Sequence, residues 1–372
     1  MKLKRYNSIG KEELNSAVKV LKSGILSDFI GAKGRNFNGG KYVQKFEKQI
    51  QSYFNVKYAI SVNSWTSGLI CAIGAINPSP GDEIICTPWT MCACATAILH
   101  WNCIPVFADI NKTTFNYDLN DLEKKISKKT IAIISVDIFG QSENIKEIKR
   151  LTKKRKIKII SDTAQAIGSS FNGKYSGTLT DIGGFSFNYH KHINTGEGGM
   201  IVTNDDVIAE KCQLIRNHAE AAIVNIPQAD LTNMIGYNFR LGEIESAIGI
   251  KQLIKLDGAI YSRQKAAALP TENLKGIDGL TTPLTRDDCT HVYYFYAMKH
   301  NPDLTGVSRD SVYDALVAEG VPLISKRYQN LHMLPMFLEK QCYGTKHFPW
   351  SINESVDYSY GPGLCPVAER LD

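Results

Sequence analysis

From about residue 40 to residue 217 the chain alternates two kinds of apolar pattern. Short runs without polar interruption, "YAISV" (58–62), "DEIIC", "IPVFAD", "IAIISV" and "IKIIS", read as strands buried on both faces. Between them lie stretches with apolar positions at helical spacing. "YVQKFEKQIQSYF" puts Val43, Phe46, Ile50 and Phe54 on one face, and "WTSGLICAIGAI", "TMCACATAIL", "LNDLEKKI" and "ENIKEIKRLTKK" keep the rhythm. "DIGGFSF" and "GGMIVT" predict two further strands. Strands of this kind, separated by helices, predict an α/β fold with a mostly parallel central sheet covered on both sides.

After "LGEIESAIGIKQLIKLD" (241–257), which predicts a long helix, the regularity fades. "HVYYFYAMK" reads as strand-rich, "SRDSVYDALVAEG" as a serine-capped helix, and loops heavy in Pro, Tyr and Gly follow. The change predicts a large domain over residues 1–255 and a smaller C-terminal α+β domain over 256–372. An amphipathic helix within "MKLKRYNSIGKEELNSAVKVLKSG" opens the large domain.

Composition narrows the class without naming it. The chain has 372 residues, 43% hydrophobic and 22% charged, too long for one small core. The net charge of +6 favours anionic small molecules. "KKRKIK" (153–158) has the composition of a nucleic-acid patch but runs straight into "IKIIS". It therefore reads as a helix end and a solvated strand entry, and no nucleic-acid partner is expected. Nine cysteines with no CxxC pair and no signal core point to a reducing, cytoplasmic setting. No run approaches roughly 18 consecutive apolar residues, so no membrane span is expected.

Candidate chemistry gathers at strand ends, where ligands of open parallel sheets bind. "VNSWTSG" (62–68) closes a strand and opens a helix, offering the Ser64 and Thr66 hydroxyls and free backbone N–H groups. That suits a phosphate, although an ordinary N-cap needs the same residues. "IISDTAQA" sets Asp162 at the end of a buried strand, again as a ligand group or a cap. "FSFNYHKHINTGEGG" (185–199) places Lys191 where a strand gives way to a turn. A lysine partly desolvated there is an amine nucleophile able to form a Schiff base. An amine, an anion cradle and a carboxylate together match pyridoxal 5'-phosphate, which needs all three. His190 and His192 at i, i+2 on an extended strand would share a face, with His100 or His218 to complete a metal site. No acidic residue or cysteine lies at matching spacing, and the intervening lysine would repel a dication, so no metal is expected.

The block "SDTAQAIGSSFNGKYSGTLTDIGGFSFNYHKHINTGEGGMIVTND" resembles the cofactor-lysine region of pyridoxal-phosphate-dependent sugar aminotransferases of the DegT/StrS family. The similarity runs from about residue 10 to 370, and it implies the aspartate-aminotransferase-like fold, fold type I. By that resemblance Lys191 is the catalytic residue, carrying the cofactor and shuttling a proton. Asp162 would pair with the pyridinium nitrogen and Gln165 would lie near the ring hydroxyl. Ser186, Thr66 and the backbone around Trp65 would hold the phosphate. "MIGYNFRLGEIESAI" resembles a segment in which an asparagine reaches into the partner's site, which implies Asn238 as a cofactor contact in a homodimer with shared active sites. Arg240 beside it, and Tyr328 and His332 in "RYQNLHML", are expected to face the sugar.

The chain also departs from that pattern. Trp65 stands where the family has a small residue. Met91 falls where an aromatic covers the cofactor ring, with Trp89 two positions early. The chain ends at "CPVAERLD", where relatives continue into a final helix, so a shortened small domain is expected. The implied activity is amino transfer from glutamate or glutamine to a keto sugar, through pyridoxamine phosphate. The acceptor would be a nucleotide-linked 4-keto or 3-keto deoxysugar used for surface glycans or amino sugars. Related dehydratases carry histidine in place of the lysine, so Lys191 favours the aminotransferase. A non-catalytic ligand sensor on the same fold would not need the lysine, aspartate and phosphate loop together. "GAKGRNFNGG" (31–40) reads as a substrate loop or a surface turn.

Overall fold

A computed structural model describes residues 7–226, 230–353 and 355–372. Two helices, α1 (Lys11–Ser23) and α2 (Lys41–Phe54), precede the alternating region. There β1 (Tyr58–Val62), α3 (Trp65–Ala75), β2 (Glu83–Cys86), α4 (Ala93–His100), β3 (Ile104–Phe107) and α5 (Leu119–Lys125) follow in turn. Next come β4 (Thr130–Val136), α6 (Ile145–Thr152) and β5 (Lys158–Asp162), then a small hairpin of β6 (Ser170–Phe171) and β7 (Lys174–Tyr175). Strands β8 (Ile182–Ser186) and β9 (Gly199–Thr203) lead to α7 (Asp206–Arg216), α8 (Ala219–Ala222), α9 (Glu243–Ile254) and α10 (Leu256–Asn273). The expected N-terminal helix begins at Lys11, and residues 1–6 lie outside the described residues. The basic run at 153–156 is an exposed turn between α6 and β5.

Seven strands form one sheet in the order β1-β9-β8-β5-β4-β2-β3. Only β9 runs antiparallel to its neighbours, so the other six share a direction. Their carboxyl ends therefore meet along one edge. Side-chain alternation explains why the runs carry no polar positions: Ala132 and Ile134 of β4 join one core cluster and Ile133 joins another. Leu69 and Ile73 of α3 cover one face. On the other, Leu122 and Ile148 pack under β4 and β5, while Phe46, Ile50 and Leu253 pack under β8 and β9.

One fully buried cation ties the loops beside this edge to the core. Arg216 donates to Glu47 Oε1 at 2.9 Å, to the Ser61 carbonyl at 3.2 Å and to Asn38 Oδ1 at 2.8 Å. A buried guanidinium persists only with such partners, and here they join α2, β1, α7 and the glycine-rich segment before α2.

A helix break falls at Lys255, between α9 and α10. Among the described residues, each buried cluster contains residues that precede this break, and Leu256, Ile260 and Val292 join the one beneath β8. "HVYYFYAMK" is mostly irregular: Val292 N–H donates to the Gly140 carbonyl at 2.8 Å and Tyr294 N–H to that of Phe139 at 2.9 Å. Its apolar run serves packing on a loop, not a strand ladder. Farther on, Leu331, Phe337, Trp350 and Ala368 return to the main core. "CPVAERLD" itself contains a helix, Pro366–Leu371, whose Val367 and Ala368 N–H groups donate to Asp109 at 2.8 and 3.0 Å. The segment between is thinner, with a two-stranded ribbon (Leu280–Thr281, Lys299–His300) and a helix, Arg309–Ala318, that buries no residue.

Candidate active site

Parallel strands deliver three of the predicted groups to the same edge. Asp162 is the last residue of β5 and is buried. Lys191 follows β8 in a turn closed by its own N–H to the Asn188 carbonyl at 2.9 Å. Ser64 caps α3 directly after β1, accepting from Ser67 N–H at 3.1 Å. That bond satisfies the third donor of the first turn and leaves the N–H groups of Trp65 and Thr66 without an intrahelical acceptor. Thr66 is exposed, and Ser186 is buried at the end of β8.

The Lys191 amine is mostly enclosed, and its ammonium form is disfavoured. Burial lowers its pKa to about 8, against a pull in the opposite direction from the Asp162 carboxylate. The two groups are thus within electrostatic reach. Among the described residues no carboxylate makes an ion pair with Lys191. Its contact is Tyr294, with Nζ 3.3 Å from the hydroxyl and 4.3 Å from the ring centroid.

Asp162 is surrounded by donors instead. Trp65 Nε1 donates to Oδ1 at 2.7 Å, Ala164 N–H donates to the same oxygen at 3.1 Å, and Cys94 Sγ lies 3.0 Å from Oδ2. Burial and the Asp162 charge push the Cys94 thiol well up, which keeps it a donor. Gln165 bridges two loops: its Oε1 accepts from Phe139 N–H at 2.8 Å and its Nε2 donates to the Tyr328 hydroxyl at 3.1 Å. Tyr328 is pushed up to about 12, mainly by burial and also by Asp162, so it too faces this centre. Trp89 packs at 5.6 Å from Tyr328 and 5.7 Å from Phe115, its Nε1 donating to Asn330 Oδ1 at 3.0 Å.

Among the described residues, the remaining candidates make no hydrogen bond to Lys191 or Asp162. Met91 is exposed, while Trp89, two residues earlier, is buried in the aromatic wall. Asn238 is exposed and accepts from Arg240 Nε at 2.7 Å, beside the end of β1, where the Phe239 carbonyl accepts from Asn63 N–H at 2.8 Å. The sugar contact expected of His332 does not fit its position. It is fully buried, and its Nε2 meets Glu369 Oε1 at 2.8 Å, locking the C-terminal helix. The predicted histidine face also fails, because residues 190–192 form a turn. His190 is exposed, His192 is buried with Nε2 2.9 Å from the Val292 carbonyl, and His100 pairs with the Tyr237 hydroxyl at 2.8 Å. Arg35, Asn36 and Gly40 of the glycine-rich segment line a basic cleft of about 750 Å³ with Lys41, Lys45 and Lys48.

Two site residues carry no sequence signal of their own. Tyr294 is one of four aromatics in a row, and Cys94 one of two cysteines at the start of α4. Only the fold brings them to Lys191 and Asp162.

The donor set fits pyridoxal phosphate: an amine with no ionic partner among the described residues, a helix start with N–H groups free of intrahelical acceptors and flanking hydroxyls, and a buried carboxylate. Asp162 retains room for the ring nitrogen. A carboxylate offers about four acceptor positions, and one on Oδ2 is unused.

Comparison with known proteins agrees. The DegT/DnrJ/EryC1/StrS aminotransferase family matches residues 8–357. GDP-perosamine synthase of Escherichia coli O157:H7 is 33% identical over 303 residues, 81% of this chain and 80% of that protein. The Helicobacter pylori aminotransferase PseC, involved in the biosynthesis of pseudoaminic acid, superposes with a TM-score of 0.77 at 30% identity, covering 89% of this chain and 85% of its own. The E. coli GDP-4-keto-6-deoxy-D-mannose-3-dehydratase with bound hydrated PLP superposes at 0.78 and 26% identity, covering 98% of this chain and 91% of its own. No helix among the described residues is long and apolar enough to cross a membrane. The chain belongs to the DegT/DnrJ/EryC1/StrS aminotransferase family and is a pyridoxal-phosphate-dependent enzyme.

Proposed function

We propose that this enzyme transfers an amino group from glutamate or glutamine to a nucleotide-linked keto sugar, a 4-keto or 3-keto deoxysugar, for surface glycan or amino-sugar biosynthesis. It would act as a cytoplasmic homodimer with shared active sites. The observation that carries this reading is the enclosed amine of Lys191, without an ion pair among the described residues and within electrostatic reach of the Asp162 carboxylate. Bound pyridoxal phosphate supplies the electron sink through which an amino group exchanges with a carbonyl. Lys191 Nζ anchors the cofactor and then moves a proton at the substrate carbon, with the Tyr294 hydroxyl orienting it. The Trp65 and Thr66 N–H groups and the Thr66 and Ser186 hydroxyls take the phosphate. Asp162 holds the ring nitrogen, and Gln165 sets the loop that carries Phe139.

An anionic acceptor is supported by the cleft that Arg35, Lys41, Lys45 and Lys48 line, against one aspartate, Asp28. It agrees with the GDP-linked sugar in the name of one relative. Tyr328 stands at the aromatic wall where a sugar ring would lie, whereas Arg240 and the exposed Asn238 would meet a second copy. A dehydratase reading has one support, the similarity to the E. coli enzyme, and Lys191 stands against it.

The test is the visible spectrum of the purified protein with pyridoxal phosphate, before and after either amino acid. Loss of the visible band with release of the matching 2-oxo acid is expected for the true donor. A band that ignores both amino acids would overturn the aminotransferase reading.

A further inference from the structure

We propose that Trp65 is a positioning residue for Asp162, and that with Cys94 it selects the carboxylate oxygen that receives a cationic ring N–H. This rests on the cofactor reading above.

Three donors reach the carboxylate, and they are unevenly shared. Oδ1 takes the indole N–H at 2.7 Å and the Ala164 N–H at 3.1 Å, while Oδ2 takes only the Cys94 thiol at 3.0 Å. A carboxylate oxygen has two acceptor positions, so Oδ1 is full and the vacancy is on Oδ2. The hydrogen bonds on both oxygens also fix rotation of the carboxylate about its own bond.

The indole itself is held in a slot made for it. A Cβ at Gly184 in β8 would lie 1.8 Å from Trp65 Cζ3, and one at Gly68 in α3 would lie 2.5 Å from Cε3. Glycine is disfavoured inside a helix, yet Gly68 there leaves the space the ring occupies. Trp65 is 5% exposed, so its ring is set by packing rather than by solvent. It is also the first residue of α3. One residue thus presents its backbone N–H at the anion end of the site and its side-chain N–H to the carboxylate at the other. The distance between the two ends is thereby tied to a single rigid side chain.

The test compares wild type, Trp65→Phe and Gly68→Ala by equilibrium binding of pyridoxal phosphate and by the pH midpoint of the bound cofactor's visible band. Trp65→Phe keeps an aromatic ring and removes the donor. It is expected to weaken binding about tenfold and to move the midpoint, because the ring nitrogen no longer meets an oriented carboxylate. Gly68→Ala keeps the indole but displaces it, and is expected to shift both readouts in the same direction by less. Unchanged affinity and midpoint in Trp65→Phe would overturn the proposal. So would tighter binding, which would show the indole competing with the cofactor for Asp162. If Trp65→Phe does not fold, Gly68→Ala decides by the same two readouts. A wild type that binds no cofactor would instead sink the proposed function.

Discussion

Strands β5 and β8 are parallel neighbours, and the chain leaving their carboxyl ends carries groups of opposite charge in opposite surroundings. Asp162 is buried and accepts from an indole, a thiol and a backbone N–H. Lys191 has a tyrosine hydroxyl at 3.3 Å and an aromatic face, with no ion pair among the described residues. Both groups pay a desolvation cost on burial, and the fold relieves only one of them. The carboxylate is built to stay in one orientation. The lysine is left poised between ammonium and amine, which is the condition a nucleophile needs. In this site a dense set of partners marks the group that orients, and a sparse set marks the group that reacts.

The sharpest way to break that comparison is to delete each end and ask which function fails. Lys191→Ala should abolish transamination, by about 10³-fold or more, while the protein still takes up pyridoxal phosphate noncovalently. Asp162→Asn keeps the shape but loses the charge, and should raise the cofactor Kd by roughly tenfold to a hundredfold. Stopped-assay rates and equilibrium dialysis on the two variants check this. Equal losses of rate and affinity in both would erase the division between a reacting and an orienting end.

This division was half legible in the sequence. Asp162 and Lys191 each follow an unbroken apolar run, and such runs become parallel strands whose ends converge, so their meeting follows from the pattern. What surrounds them does not. The Trp65–Asp162 contact spans 97 residues and the Lys191–Tyr294 contact 103. No local period encodes either. "HVYYFYAMK" misleads for a related reason, since its run of apolar and aromatic residues reads as a strand but its partner is the loop at Phe139 and Gly140. His332 misleads because a histidine near a tyrosine looks chemical, whereas its ring is spent on Glu369 inside the core.

A smaller effect should appear in the pH dependence of cofactor loading. The free amine of Lys191 is the competent form, and its pKa is lowered to about 8. The rate of covalent uptake by apoprotein should therefore rise about tenfold per unit below pH 8 and level off above it. An ordinary exposed lysine would keep rising to about pH 10. Rapid-mixing absorbance across pH 6–10 separates the two, and a midpoint near 10 would mean that the lysine is not desolvated as its surroundings imply.

The smallest effect probes a second buried carboxyl just behind the site. Asp137 is completely buried, accepting from the Thr163 hydroxyl at 2.7 Å and the Glu143 N–H at 2.8 Å. Burial outweighs those donors, and the nearby Asp162 charge adds to it, so the pKa rises to about 7. Glu143 next to it is raised to about 8, although Arg286 on the far side opposes the shift. Unfolded, Asp137 would release its proton near pH 4. Between pH 4 and 7 the folded chain thus binds the extra proton, and stability falls as pH rises through that window. Asp137→Asn cannot titrate, so the variant should gain on wild type as pH rises from 5 to 8, by up to about 2.6 kcal/mol. Thermal unfolding of both proteins at each pH reads this directly. A constant difference would mean that Asp137 stays ionised throughout. Thr163, which neighbours Asp162 in the chain and bonds Asp137, would then rest on a charged support rather than a neutral one.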